Sequence, residues 1–363
     1  MTQSSRTDGD GRTSDLRTTQ MAREIAEQPD AVARTLDVLR PLRPELARLA
    51  EGTRHVLFVA RGSSDNACVY GRYLVETHAH RMAGLAAPSI ATHYHAEVDL
   101  TDALVVCVSQ SGETREIVET SEWATLRGAR TVAVTNDGGS SLAQAADLTL
   151  ATHAGDELAV PATKTYTTQL AAMAVLATAL APEPAALDAY LDRAPAEMAR
   201  LADERRGVDE AAAELVSPAE TLVSGRGLLF GTALEIALKL EETCLRPVRG
   251  LSYADLRHGP IAVVDTGVVA VVVAAPDGPV VDGLTEVALD LRERGARTVG
   301  IGGDRSFAES CTLWVPGPAL PEAVAPLATV VPGQLMVEAL ARRLGLDPDS
   351  PRGLSKITQT DAE

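Results

Sequence analysis

His55-Val56-Leu57-Phe58-Val59-Ala60-Arg61-Gly62 reads as an apolar strand that ends in a tight turn, and Thr221-Leu222-Val223-Ser224-Gly225-Arg226-Gly227 reads the same way. The two Arg-Gly pairs lie 165 residues apart. Ala129-Arg130-Thr131-Val132 returns as Ala296-Arg297-Thr298-Val299, offset by 167. Two matches in near register point to a duplicated unit of about 165 residues. Working outward, apolar strands are expected at Val56–Ala60, Leu104–Val108, Thr131–Thr135 and Leu148–Ala151, then at Thr221–Ser224, Val268–Ala274, Thr298–Gly302 and Leu313–Pro316. Helices are expected between them, at Asn66–Thr77, Thr114–Leu126, Ser141–Ala146, Thr165–Ala181, Leu229–Leu245, Val280–Arg294 and Glu322–Leu344. Strands that are apolar without alternation are covered on both faces, as in a parallel sheet between helical layers. The expected fold is α/β, with two tandem doubly wound, flavodoxin-like parallel-sheet units over residues 21–190 and 191–348. A polar tail of residues 1–20 is expected to be disordered, and residues 349–363 form a polar C-terminal tail.

Composition narrows the function classes. The chain has 363 residues, 45% of them hydrophobic, with only three Phe and two Trp, so Ala, Val and Leu must build the core. A formal net charge of -17 argues against nucleic acid and anionic membranes as partners, but not against a small anion held in a local site. No apolar run reaches membrane-spanning length, and the polar start has no apolar signal-peptide core. Cys68, Cys107, Cys244 and Cys311 form no Cys-x-x-Cys pair and sit among apolar residues. They read as free thiols of a reducing, cytoplasmic compartment. His93 and His95 straddle Tyr94 and could share a strand face, but no metal-ligand spacing is present and no metal is expected.

Of 33 basic residues only three are lysines: Lys164, Lys239 and Lys356. A guanidinium cannot replace an amine that must lose a proton or attack a carbonyl, so these three are candidates for chemistry. The other reading is a compositional bias that left three accidental survivors.

In an open parallel sheet, ligands bind beyond the carboxyl ends of the strands. Two loops there are small and rich in hydroxyls: Arg61-Gly62-Ser63-Ser64-Asp65-Asn66 and Ser109-Gln110-Ser111-Gly112-Glu113-Thr114. Each opens a helix, whose free N–H groups and positive dipole end suit a phosphate. Ordinary N-capping explains one such hydroxyl per helix, not this density. Further along, Lys239 and Glu242 lie three apart and share a helix face. An ammonium beside a carboxylate keeps it ionised and ready to accept a proton, unless the two are a plain surface ion pair.

The Ser109–Thr114 loop resembles the signature of the SIS (sugar isomerase) domain family. The resemblance runs from Met21 to Lys356, to the isomerase half of glucosamine-6-phosphate synthase. It is carried by Met21–Pro29, Ala162-Thr163-Lys164 with Thr167-Thr168-Gln169, Ala233-Leu234-Glu235 with Ala237–Glu242, His258-Gly259-Pro260, and Asp349–Lys356. It implies that Ser63, Ser64, Ser109, Gln110, Ser111 and Thr114 hold a phosphate. It implies Glu242 as the base between sugar carbons C1 and C2, beside Lys239. It implies His258 as a ring-opening group given by the partner in a homodimer, and a C-terminal tail that folds over the site. On that tail Lys356 would form a Schiff base with the open-chain sugar. Gly62, Ala162 and Lys164 would contact the sugar, Lys164 alternatively orienting loops. Glu113 would contact substrate or merely favour a helix start. No cofactor is implied.

The chain also departs from that pattern. Thr2 follows Met1, so the nucleophilic cysteine of a glutaminase domain is not expected. Arg61-Gly62-Ser63-Ser64 is closer to SIS-type deaminases and deglycases, and Ala162 stands where the synthase has serine. The expected activity is deamination or aldose–ketose isomerisation of an amino-sugar 6-phosphate. Alternatives are elimination of the C3 hydroxyl from N-acetylglucosamine 6-phosphate, deglycation, or a non-catalytic phosphosugar sensor.

Overall fold

The computed structural model describes residues 18–183 and 185–359. Most of the expected N-terminal tail, residues 1–17, lies outside the described residues. Three helices lead in: α1 (Gln20–Ala26), α2 (Gln28–Leu39) and α3 (Arg43–Leu49). The first sheet and its helices follow as β1 (His55–Val59), α4 (Ser63–His78), β2 (Met82–Leu85), α5 (Ser89–Thr92), β3 (Ala103–Val108), α6 (Arg115–Leu126), β4 (Arg130–Thr135), α7 (Ser141–Ala145), β5 (Leu148–Ala151) and α8 (Lys164–Leu180). Helices α9 (Ala185–Leu191), α10 (Ala194–Asp203) and α11 (Val208–Glu214) cross to the second half. That half runs β6 (Glu220–Gly225), α12 (Phe230–Cys244), β7 (Arg249–Ser252), α13 (Tyr253–Arg257), β8 (Val268–Ala274), α14 (Val281–Glu293), β9 (Arg297–Gly302), α15 (Arg305–Ser310), β10 (Leu313–Val315) and α16 (Pro326–Arg343).

Every strand pair is parallel. The orders are β2-β1-β3-β4-β5 and, read the same way, β7-β6-β8-β9-β10. Both are the doubly wound 2-1-3-4-5 arrangement. The starts of β1 and β6, His55 and Glu220, are 165 residues apart, as are those of β3 and β8, Ala103 and Val268. The duplication read from two short matches thus extends to whole sheets. The eight expected strands are present. The edge strands β2 and β7 were not expected, because each is short, carries a glycine and has no buried residue.

One core joins the two halves. Helices α4, α8, α12 and α16 pack on one another between the sheets, and their buried residues belong to a cluster that runs from Met21 to Ala341. Helix α8 is apolar nearly all round and almost wholly buried, as such a helix must be. Two smaller clusters cover the outer faces, one involving α6 and α7, the other α14 and α15. Gly231 brings α12 against α4: a Cβ there would stand 2.5 Å from the Asn66 carbonyl oxygen. All four cysteines are buried and free. His93 and His95 follow the short helix α5 instead of sharing a strand, so that expectation fails. Among the described residues no His/Cys/Asp/Glu group could hold a metal, and no helix is long and apolar enough to cross a membrane.

Candidate active site

Strand β1 turns into α4 at Gly62, the N-cap, whose φ of 56° favours glycine. Strand β3 enters α6 through residues 109–114, with Thr114 as N-cap. Neither cap makes a side-chain hydrogen bond to its helix. β1 and β3 are the strands at which the chain order switches, so both helix starts meet at the crevice where an open sheet binds ligands. A cavity of about 480 Å³ opens there, lined by Gly62, Ser63, Ser64, Ser109, Gln110, Ser111 and Thr114. The loops are braced from behind. The Gly112 N–H donates to Ser109 Oγ at 3.2 Å, and Thr135 Oγ1 donates to the Gln110 carbonyl at 3.3 Å. Arg61 grips Glu116 of α6 with two bonds of 2.8 and 3.1 Å. Two positive dipole ends and a ring of hydroxyls make a place for an anion.

The opposite wall comes from α12. Glu235, Lys239 and Glu242 stand on successive turns of one face. Lys239 is 1% exposed, with Nζ 2.5 Å from Glu242 Oε2 and 3.5 Å from Glu235 Oε1. Glu242 is about a quarter exposed and, with Lys239, lines the cavity. Burial works against the lysine's charge, but Glu235 and Glu242 outweigh it and hold the ammonium above the usual lysine range. Glu235 is fully buried; burial pushes its carboxyl up to about 7 against the pull of Lys239 and the Asn66 hydrogen bond, and Glu242 adds to the rise.

The C-terminal segment lies over the cavity, with Leu354 through Gln359 in its lining. Lys356 Nζ donates to Glu157 Oε2 at 2.6 Å and to the Ala159 carbonyl at 2.7 Å. The amine expected to attack a sugar carbonyl is therefore turned onto protein acceptors. Gln359 clasps the loop of residues 109–114 and the start of α6: its Nε2 donates to the Glu113 carbonyl and its Oε1 accepts from the Arg115 N–H. Farther back, the Asp349 carboxylate accepts from the N–H groups of Gln20 and Met21 at the start of α1. Glu157 was not foreseen. It is fully buried, takes N–H and hydroxyl bonds from Thr163 and Thr165, and lines the cavity. Burial would push its carboxyl up, but Lys356 and these donors outweigh it and hold it below the usual range.

Other expected residues fall elsewhere. Ala162 lines the cavity, but Lys164, Glu113 and His258 do not. Lys164 is buried at the start of α8 with Nζ 2.5 Å from Glu27 Oε2. The Glu113 carboxylate takes the Ser141 N–H and hydroxyl at 2.9 and 2.7 Å, which secures the start of α7. His258 caps the end of α13 and is exposed. All three lysines thus meet a carboxylate, each in a different place.

The second half has an equivalent crevice between β6 and β8, and it is filled. Gly227 and Gly278 repeat the positive φ of Gly62 and Gly112. The hydroxyl positions have become Leu228, Leu229, Ala275, Pro276, Asp277 and Val280. Glu322, which lies 165 residues beyond Glu157, is buried against both glycines: a Cβ on Gly227 would stand 2.7 Å from its Oε1, and one on Gly278 would meet its carboxylate. It accepts a hydrogen bond from the Leu228 N–H. A side chain of the chain itself thus fills the crevice that corresponds to the open one in the first half.

Comparison with known proteins agrees with this architecture. The SIS domain model matches residues 51–179. The glutamine–fructose-6-phosphate aminotransferase (isomerizing) of Thermococcus kodakarensis is 36% identical over 353 residues, covering 93% of this chain. The chain spans 57% of that relative's length. A Silicibacter pomeroyi DSS-3 protein assigned as a phosphosugar isomerase superposes with a TM-score of 0.82 at 33% identity, over 92% of this chain and 100% of its own. The C-terminal domain of the Francisella tularensis glucosamine-fructose-6-phosphate aminotransferase gives 0.84 at 26%, over 93% and 100%. Matched along nearly its whole length in sequence and in fold, this chain belongs to the SIS domain family, as a phosphosugar isomerase-type protein with two α/β units in tandem.

Proposed function

We propose that the protein is an enzyme that moves a proton between C1 and C2 of an amino-sugar 6-phosphate, as a deaminase or aldose–ketose isomerase. The observation that carries this reading is a single cavity with hydroxyls at two helix starts on one wall and the Glu242–Lys239 pair on the other. The phosphate anchors one end of the open-chain sugar through Ser63, Ser64, Ser109, Gln110, Ser111 and Thr114. Glu242 takes the C2 proton of the aldose form and returns it at C1. Lys239 offers positive charge where the enediol-like intermediate gathers negative charge. With a free amine at C2, the resulting ketimine loses ammonia on hydrolysis and leaves fructose 6-phosphate, the sugar in the name of the Thermococcus relative. His258, exposed and away from the cavity of its own chain, would reach the site of a partner in a homodimer. Lys356 would have to leave Glu157 before it could join the chemistry.

The test is a coupled assay for ammonia and fructose 6-phosphate with glucosamine 6-phosphate as substrate, on the wild type and on Glu242→Gln. The variant should keep substrate affinity and lose at least about a hundredfold in kcat, the usual contribution of a general base. A fully active variant would sink the base assignment. With N-acetylglucosamine 6-phosphate the nitrogen cannot leave, and an absorbing unsaturated product would shift the reading to elimination. Binding of both sugars without turnover of either would make the protein a sensor.

A further inference from the structure

Lys239 already has Glu242 at 2.5 Å, yet a second carboxylate, Glu235, is buried beside it with none of its surface exposed. Two acids facing one buried ammonium is a costly arrangement if its purpose is only to stabilise the helix, because each buried charge must be desolvated. Glu235 is also the link to another element: its Oε2 accepts from Asn66 Nδ2 of α4 at 2.9 Å. Asn66 is in the first turn of α4, two residues beyond Ser64. The close helix approach at Gly231 makes that contact possible. A chain of contacts therefore runs from the phosphate cradle through Asn66, Glu235 and Lys239 to Glu242.

We propose that Glu235 is a positioning residue for the base: it shares Lys239 with Glu242 and, through Asn66, ties both to the helix whose first turn holds the phosphate. This rests on Glu242 being the base. A carboxylate that faces an ammonium alone is a weak proton acceptor. Dividing the lysine's charge between two carboxylates leaves Glu242 fixed in place but still basic. The groups that face Glu235 are Lys239 and Glu242 on its own helix, Asn66 and Ser63 on α4, and Tyr166 on α8; Glu157 faces Lys239. Among these Glu235 is the carboxyl that burial carries up to about 7, so its charge changes near neutral pH.

The experiment is the pH profile of kcat/KM for glucosamine 6-phosphate in the wild type, Glu235→Gln and Asn66→Ala. In Glu235→Gln the whole of the lysine charge falls on Glu242. The acidic limb should move about one pH unit lower and kcat should fall about tenfold with KM little changed. Asn66→Ala removes a donor that favours the ionised form of Glu235, so Glu235 takes its proton at higher pH and the limb that follows it should move the opposite way, upward, and by less. It carries the test if Glu235→Gln does not fold. A limb that stays in place in the folded variants overturns the proposal. Glu242→Gln, run alongside, separates the two failures: if it is inactive while Glu235→Gln behaves as wild type, only the role of Glu235 falls. If it is as active as wild type, the base assignment falls with it.

Discussion

Gly62 and Gly112 turn the chain into the two cradle helices with φ of 56° and 68°, but a side chain would meet different surroundings at each. A Cβ on Gly62 has nothing within 4 Å, so Gly62→Ala carries only the backbone cost of its φ of 56° and ψ of -133°, about 1–3 kcal/mol. A Cβ on Gly112 would run into Ser140 Oγ, with the Ser140 Cβ at 2.5 Å and Thr135 Oγ1 at 2.8 Å. Those groups belong to the cap of α7 and the end of β4, which cannot yield without moving the loop. Gly112→Ala should therefore add about 1–3 kcal/mol of overpacking to the backbone cost and displace Ser109, Gln110 and Ser111. Titration with a hexose 6-phosphate checks this. Gly112→Ala should lose at least about tenfold in affinity, which takes only about 1.4 kcal/mol, while Gly62→Ala stays closer to wild type. Equal losses in the two variants would mean that the loop is not held from behind as the structure has it. The three lysines give a matching lesson. Scarcity in the sequence singled them out, and only the folded chain separates their roles: Lys164 braces α8 on Glu27, Lys239 serves the wall of the cavity, and Lys356 fastens the C-terminal segment.

That segment is held as an element by a few contacts: Asp349 on the start of α1, Gln359 on the loop before α6, and Lys356 on Glu157. Lys356→Met keeps the length of the side chain and removes its charge. The Thr163 and Thr165 donors still serve Glu157, so the loss should be about 2 kcal/mol in urea unfolding at neutral pH, with faster hydrogen exchange over residues 354–359. The sign of the pH dependence follows from Glu157. Its carboxyl titrates lower in the fold than in the unfolded chain. Its contribution is then present above the ordinary carboxylate range and is lost as pH falls through the lower folded value. Wild type and variant should converge in stability as the solution is acidified through that range; a gap that persists in acid would show that the pair is not what fastens the segment. The same elements mark what could be read beforehand. The buried central strands were legible because burial on both faces leaves an unbroken apolar run, and the hydroxyl loops because they carry more hydroxyls than capping needs. Strands β2 and β7 were not, because edge strands need little apolar surface. Glu157 stood in a loop with no periodicity to announce it, and its one available signal was the acid 165 residues later, Glu322.

The repeat explains why a molecule with two equivalent sheets has a single hydroxyl-lined cradle. In the second crevice the glycine turns persist, but the hydroxyls are gone and the Glu322 carboxyl sits under the Leu228 N–H, where burial pushes its titration above the usual carboxylate range. The second half instead gives the first half's cavity the Glu242–Lys239 pair, because α12 packs on α4 across the middle layer and carries both side chains to the cradle. On the proposed reading the division of labour extends one step further, with His258 of α13's end serving a partner chain, since it lies outside its own cavity. A residue that acts in trans can be tested without a structure of the dimer. Glu242→Gln and His258→Ala should each be inactive alone. When the two are mixed, unfolded and refolded together, half of the pairs in a symmetric dimer combine one chain of each kind. In such a pair one site has lost both groups, while the other joins an intact Glu242 to an intact His258. Activity should return to about one quarter of wild type per chain, the fraction that random pairing of dimers allows. If His258 acted within its own chain, or not at all, mixing two variants could restore nothing beyond their separate rates, and the proposed crossing would have to be given up.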